Sequence, residues 1–133
     1  MKKREPVSHI MTQDVYTTGI HDSLASAFRL MKEKKIRHLP VVEGEQLIGI
    51  LSMTDIMRLS FGTEEPDENT LSMFKIEQIM KPNPKTVAPT DEIRTVAEIL
   101  TKEEFHALPV AEDGKLCGIV TTTDIIKYLL KQY

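Results

Sequence analysis

The segment Gly49-Ile50-Leu51-Ser52-Met53-Thr54-Asp55-Ile56 returns 69 residues later as Gly118-Ile119-Val120-Thr121-Thr122-Thr123-Asp124-Ile125. The offset runs without a gap over residues 8–60 against 77–129, and along it Ile10-Met11 recurs as Ile79-Met80, Asp22 as Asp91, and Leu39-Pro40-Val41 as Leu108-Pro109-Val110. Elsewhere the replacements are like for like: Leu24 by Ile93, Leu30 by Ile99, Ser52 by Thr121, Arg58 by Lys127. Self-similarity at one fixed period is the mark of a supersecondary unit built more than once. The chain is two copies of one unit, and its fold must be one that can be made twice.

Each copy, at about 55 residues, lies near the lower limit for an independent hydrophobic core. The two copies are therefore expected to share one. The division places the first copy with its N-terminal arm at 1–60, an acidic linker and short connecting helix at 61–76, and the second copy at 77–133. Local signals within each copy give the order β-α-β-β-α, an α/β (α+β) fold. Asp22-Ser23 and Thr90-Asp91-Glu92 offer N-cap side chains. The helices they precede have apolar positions Leu24, Ala27, Phe28 and Met31, then Ile93, Val96, Ala97 and Leu100, in the i, i+3, i+4, i+7 rhythm of one buried face. Strands follow at 39–42 and 108–111, where Pro40 and Pro109 predict an edge or strand-entry position because proline cannot donate to a ladder. Gly44 and Asp113-Gly114 mark tight hairpins leading to strands at 47–53 and 116–122. The stretch 61–69 is polar and acidic, a connection without visible chemistry, and 71–80 predicts a short helix whose counterpart is 7–11. The closing helices are the most apolar segments, with Ile56, Met57, Leu59 and Phe61 in one copy and Ile125, Ile126, Tyr128, Leu129 and Leu130 in the other. So much apolar surface on a terminal helix predicts coverage by a second chain, a homodimer, the alternative being helices sandwiched within one chain.

Composition narrows the function classes. A net charge of −3 and a pI near 5.8 provide no general attraction to nucleic acid or to an anionic membrane, and Lys2-Lys3-Arg4 is the one basic cluster. No apolar run has the length of a membrane span or signal segment, so a cytoplasmic location is expected. Cys117, the single cysteine, cannot form an internal disulfide and reads as a small buried apolar residue. His9, His21, His38 and His106 are scattered, with no Cys or carboxylate at ligand spacing, which predicts no metal site. No Gly-x-Ser-x-Gly elbow or Gly-rich phosphate loop is present, and no enzymatic activity is expected. Met31, Met57 and Met80 fall at helical apolar positions and read as core filler.

The repeated segment itself carries the chemistry. At the point where a strand becomes a helix it presents a hydroxyl, Ser52 or Thr121, and a carboxylate, Asp55 or Asp124. An ionised carboxylate accepts two hydrogen bonds from vicinal hydroxyls, a nearby hydroxyl can donate to phosphate or sugar oxygens, and free N–H groups at a helix start favour an anion. A ribonucleotide fits that combination, with Arg58 and Lys127 one turn further on either within reach of a phosphate or simply solvated helix charges and partners of the nearby Asp. The competing reading is plain helix capping, since Ser, Thr and Asp are preferred N-caps. The same double hydroxyl and carboxylate in both copies exceeds what a cap requires, with Thr54 and Thr123 expected to do the capping.

These features together resemble a tandem pair of cystathionine β-synthase (CBS) domains, a Bateman module: the Ile-Met opening, the Leu-Pro-Val strand, the acidic-Gly turn and the Gly-apolar-apolar-Ser/Thr-x-Ser/Thr-Asp segment all occur twice, from Pro6 to Leu130. The resemblance implies two repeats packed about a pseudo-twofold axis, with clefts between them that sense adenosine-containing nucleotides (AMP, ADP, ATP or S-adenosylmethionine). It assigns the ribose to Asp55 and Asp124 and the neighbouring hydroxyl contact to Ser52 and Thr121. Ile50 and Ile119 would lie along the nucleoside through backbone and side chain. Ile36, Arg37 and His38, with Phe105, His106 and Ala107, would serve base and phosphate, and Thr17 and Thr86 would border the base. The copies differ here, so two inequivalent sites are expected. The nucleotide is expected as a regulatory ligand and not as a catalytic cofactor, its state read by an unidentified effector protein. The alternative is a structural or dimerisation module that binds no nucleotide.

Overall fold

The computed structural model describes residues 4–60 and 64–133. Lys2 and Lys3 of the basic cluster, and Phe61 of the first closing helix, lie outside the described residues. The chain forms two compact units, residues 16–84 in one and residues 1–15 with 85–133 in the other. Each unit has its own core, which corrects the expectation of a shared one.

In the unit of residues 16–84, β1 (Thr18–Gly19) runs parallel to β2 (His38–Glu43), which pairs antiparallel with β3 (Gln46–Ser52). Helix α1 (Leu24–Lys34) starts at Ser23, whose hydroxyl accepts from Ser26 N, and ends at Lys35 in the left-handed region. Asp22 is not a cap: its Oδ2 accepts from Gly19 N at 2.8 Å and holds the turn after β1. The predicted stripe Leu24, Ala27, Phe28 and Met31 is buried against Leu39, Val41 and Leu51 on one face of β2 and β3, with Ile56, Leu71 and Ile76 closing the cluster. Each large side chain in it contributes about 1.5–3 kcal/mol by leaving water. Gly44, at φ 61°, opens the β2–β3 turn. Pro40 is tolerated in β2 because β1 is short and joins only from Val41 onward.

The predicted closing helix is reduced to α2 (Met53–Met57), five residues long. The connection is firmer than a plain linker. Helix α3 (Glu68–Ser72) is capped by Asp67, whose carboxylate accepts from Thr70 N and is thereby held below its ordinary pKa. Glu65 and Glu68 form ion pairs with Lys32 and Arg29 of α1, each at 2.9 Å. Helix α4 (Ile76–Ile79) then leads to β4 (Lys81–Pro82), which pairs antiparallel with β3, Gly49 opposite Pro82 and Ile50 opposite Lys81.

The other unit repeats this plan. Helix α5 (Ile93–Lys102) precedes β5 (Ala107–Glu112), β6 (Lys115–Thr121) and α6 (Thr122–Lys131). The hairpin turns through Asp113 and Gly114, both at positive φ, and a bulge at Val110/Ala111 repeats the one at Val41/Val42. Thr90, Asp91 and Glu92 do not cap α5 as expected: the N-cap is Glu92, without a side-chain bond, and Asp91 instead accepts from Ala88 N. Val7, Val87, Val96, Leu108, Val110 and Val120 form the core. Cys117 is half-buried, not fully buried as expected.

The two opening segments are exchanged relative to the sequence copies. Residues 1–15 belong to the unit containing 85–133, where Thr12 bridges Ile119 of β6, and Lys81 stands opposite Ile50 of β3 in the unit of 16–84. Two glycines make room for them. A Cβ on Gly118 would stand 2.7 Å from Met11 Sδ and from the Thr12 carbonyl, and one on Gly49 would collide with Met80 Sδ and stand 3.1 Å from the Lys81 carbonyl. The recurrent Ile-Met and Gly of the two copies thus form one packing device. The arm is also tied at Glu5, whose carbonyl accepts from Ile93 N and whose Oε1 accepts from Tyr128 OH at 3.3 Å. Burial, with the Glu5 carboxylate beside it, pushes the Tyr128 phenol above its ordinary pKa.

Candidate functional site

Alternation along a strand and pairing across strands decide which residues share a face. Leu39, Val41 and Leu51 turn toward the helices, so His38, Pro40, Ile50 and Ser52 occupy the opposite face of β2 and β3, with His38 directly across from Ser52 and Pro40 across from Ile50. In the other unit Ala107 stands across from Thr121 and Pro109 from Ile119. Ile50 and Ile119 accordingly lie outside both cores. Ile36 and Phe105 are partly buried and pack against the cores, one in each unit.

Strand entry and helix start meet in both units through one backbone bond: Met53 N donates to Arg37 O, and Thr122 N donates to His106 O, both at 2.9 Å. This brings Arg37 and His38 beside Ser52 and Asp55, and His106 and Ala107 beside Thr121 and Asp124. Thr17 and Thr86 are exposed and border the rows at Pro40 and Pro109. Thr17 precedes Thr18, which stands parallel to Val41 of β2, so that Thr17 lies one strand away from Pro40. Thr86 precedes Val87, which bridges Val110 of β5 in the same way.

The capping side chains are Ser52 and Thr121, a correction to the assignment of Thr54 and Thr123. Ser52 Oγ accepts from Asp55 N at 3.1 Å, and Thr121 Oγ from Asp124 N at 3.2 Å. Each hydroxyl keeps its own proton and can still donate. The helix-start N–H groups are less free than expected, since residues 53 and 55, like 122 and 124, already donate within the chain. The backbone of Ile119 is also engaged, accepting from Thr12 N at 2.9 Å and donating to Thr12 O at 3.0 Å, so only its largely buried side chain is left for a ligand.

The two carboxylates differ. Asp124 Oδ2 accepts from Thr121 N at 2.9 Å and completes a capping box. Asp55 makes no such bond: its Oδ1 meets the exposed Arg58 guanidinium at 3.2 Å, and its Oδ2 is buried with no hydrogen-bond partner. A buried carboxylate oxygen without a donor is costly to the apo protein and is satisfied by any ligand that supplies a hydroxyl or N–H there. Among the described residues, no three His, Cys, Asp or Glu side chains group to hold a metal. No helix of the described residues is long and apolar enough to cross a membrane.

Sequence reasoning missed one pair of residues. Lys81 and Thr12 stand across from Ile50 and Ile119, in the same row as Pro40 and Pro109. They occupy matching positions of the two copies, but nothing local in the sequence says that each opening segment pairs with the last strand of the other copy.

Comparison with known proteins agrees with this architecture. MJ1225 of Methanocaldococcus jannaschii, an uncharacterized protein, is 29% identical over 133 residues, covering 95% of this chain and 48% of its own length. Its crystal structure is similar with a TM-score of 0.84 at 28% identity, covering 97% of this chain and 49% of that one. CBSX2, a CBS-pair protein of Arabidopsis thaliana, was crystallised with AMP and gives a TM-score of 0.82 at 27% identity over 96% of this chain and 97% of that one. The CBS domain pair of MJ0100, crystallised with 5′-methylthioadenosine and S-adenosyl-L-methionine, gives 0.83 at 27% identity over 97% and 98%. The chain spans from 22% to 48% of the length of four curated relatives that it matches. A family model of the CBS domain matches residues 7–62 and again residues 76–131, and with the fold repeated in both units the chain belongs to the CBS domain family as a tandem pair.

Proposed function

We propose that this CBS pair is a regulatory module that binds adenosine-containing nucleotides at the strand-to-helix clusters of Asp55 and Asp124 and passes the bound state to a partner protein. The observation that carries the reading is the buried, unpartnered Oδ2 of Asp55, beside a hydroxyl and below a strand-entry Arg-His pair. A ribose supplies two adjacent hydroxyl donors to such a carboxylate, and the nucleoside base lies against apolar surface of the kind Ile50 and Pro40 offer. The ligands in the CBSX2 and MJ0100 structures, AMP, 5′-methylthioadenosine and S-adenosyl-L-methionine, share adenosine as their common part. The nucleotide acts as a regulatory ligand and not as a catalytic cofactor, and the module itself is not an enzyme. We place it in the cytoplasm and as a homodimer, and the dimer is supported by the exposed i, i+3, i+4 apolar set Ile126, Leu129 and Leu130 on α6.

A ligand shifts a conformational equilibrium only through its affinity difference between the two states, and it stabilises whichever fold it binds. Thermal denaturation with AMP, ADP, ATP and S-adenosylmethionine tests the reading. At a hundredfold excess over Kd, bound ligand adds about 2.7 kcal/mol, seen as a rise in Tm. The rise is expected for at least one of the four and is expected to vanish in the Asp55→Ala, Asp124→Ala double variant. A flat Tm with all four would leave a structural or dimerisation module as the function.

A further inference from the structure

The two candidate sites are built on the same backbone plan, but the row of side chains that crosses each of them is different. Resting on the nucleotide reading above, we propose that the unit of residues 16–84 holds the tighter site, that this site selects phosphorylated nucleosides, and that Lys81 contacts the phosphate.

Two independent features separate the units, and the second of them carries a third. The first is the carboxylate. Asp124 is satisfied within the chain by the Thr121 N–H, whereas Asp55 keeps a buried oxygen without a donor, so the same ribose hydroxyl gains more at Asp55. The second is the row facing the ligand. Register places His38, Pro40, Ile50, Ser52 and Lys81 on one face of the first unit's strands; the matching row in the other unit is Ala107, Pro109, Ile119, Thr121 and Thr12. A lysine thus stands where its counterpart is a threonine, and a histidine where its counterpart is an alanine. The third is the source of positive charge. The N–H groups of residues 53 and 55 donate internally, as those of 122 and 124 do, so the units differ in their side-chain cations, and in the first Lys81 joins Arg37 and Arg58. Lys81 is exposed, and its ammonium is a mobile point charge suited to a phosphate and not to a sugar. The second unit offers Lys127 and His106, with a closed capping box, and suits weaker binding that gains less from a phosphate.

Isothermal titration of the full chain with ATP, and separately with adenosine, decides the matter. The wild type is expected to show a tight and a weak ATP site. Asp55→Asn, which preserves the side-chain shape, is expected to remove the tight phase, and Asp124→Asn to leave it in place. Loss of one charge-assisted bond in Lys81→Ala is expected to raise the Kd of the tight ATP site about tenfold or more while changing adenosine binding by less than about twofold. The inference is overturned if Asp124→Asn removes the tight phase, or if Lys81→Ala leaves ATP unaffected or weakens ATP and adenosine alike. A wild-type chain that binds neither ligand would instead overturn the nucleotide reading itself, and the inference with it.

Discussion

Asp55 and Asp124 hold the same position in the two copies, but one carboxylate is engaged by the backbone and the other is not. Asp124 closes a capping box at the head of α6, a contact whose loss costs about 0.5–2 kcal/mol. Asp55 has only an exposed arginine for its Oδ1, a pair worth about 0–1 kcal/mol, and an unsatisfied Oδ2 that offsets it. Urea denaturation without ligand should therefore find Asp124→Ala about 1 kcal/mol less stable than wild type and Asp55→Ala close to neutral. Equal losses at both positions would show that Asp55 serves the fold as Asp124 does. The two carboxylates and their hydroxyls were legible in the sequence because the motif recurs at one offset, whereas the Arg37-His38 pair, whose counterpart is His106-Ala107, was legible only through the family resemblance. Their partners were not: whether an Asp three residues past a Ser returns to the N-cap depends on a side-chain rotamer, and rotamers follow packing that no local pattern encodes.

The elements β2, β3 and α1 with their counterparts β5, β6 and α5 follow from hydrophobic period, turn glycines and caps, all local signals. The opening segments follow from none of these. Their exchange rests on a nonlocal seat, Met11 over Gly118 and Met80 over Gly49, where a Cβ would crowd a methionine sulfur and a backbone carbonyl. The clash at Gly118 includes a backbone carbonyl, Thr12 O at 2.7 Å, which cannot swing away as a methionine can. Gly118→Ala is expected to lose about 1–3 kcal/mol of stability, the usual scale of overpacking, and Met11→Ala should not restore it. At Gly49 the carbonyl lies at 3.1 Å and the flexible Met80 sulfur is the nearer obstacle, so Met80→Ala should partly rescue Gly49→Ala. Chemical denaturation of the four single and two double variants checks the pattern. Rescue at Gly118 by Met11→Ala would mean that the side chain, and not the backbone, sets the spacing.

For the whole molecule, the consequence of this exchange is that each unit combines the hairpin and helices of one copy with the opening segment of the other. The candidate site of each unit inherits one residue from that segment, Lys81 in one and Thr12 in the other, and so the inequivalence of the sites arises from the topology as much as from the motif. Adenosine nucleotides are proposed to bind where strand entry, strand end and helix start converge. A titration of the uniformly 15N-labelled chain with AMP, followed through its amide resonances, tests it most directly. Shifts are expected to concentrate at residues 36–38, 50–55 and 81, with weaker ones at 105–107 and 119–124. Shifts centred elsewhere, or no shifts at millimolar AMP, would contradict the proposal.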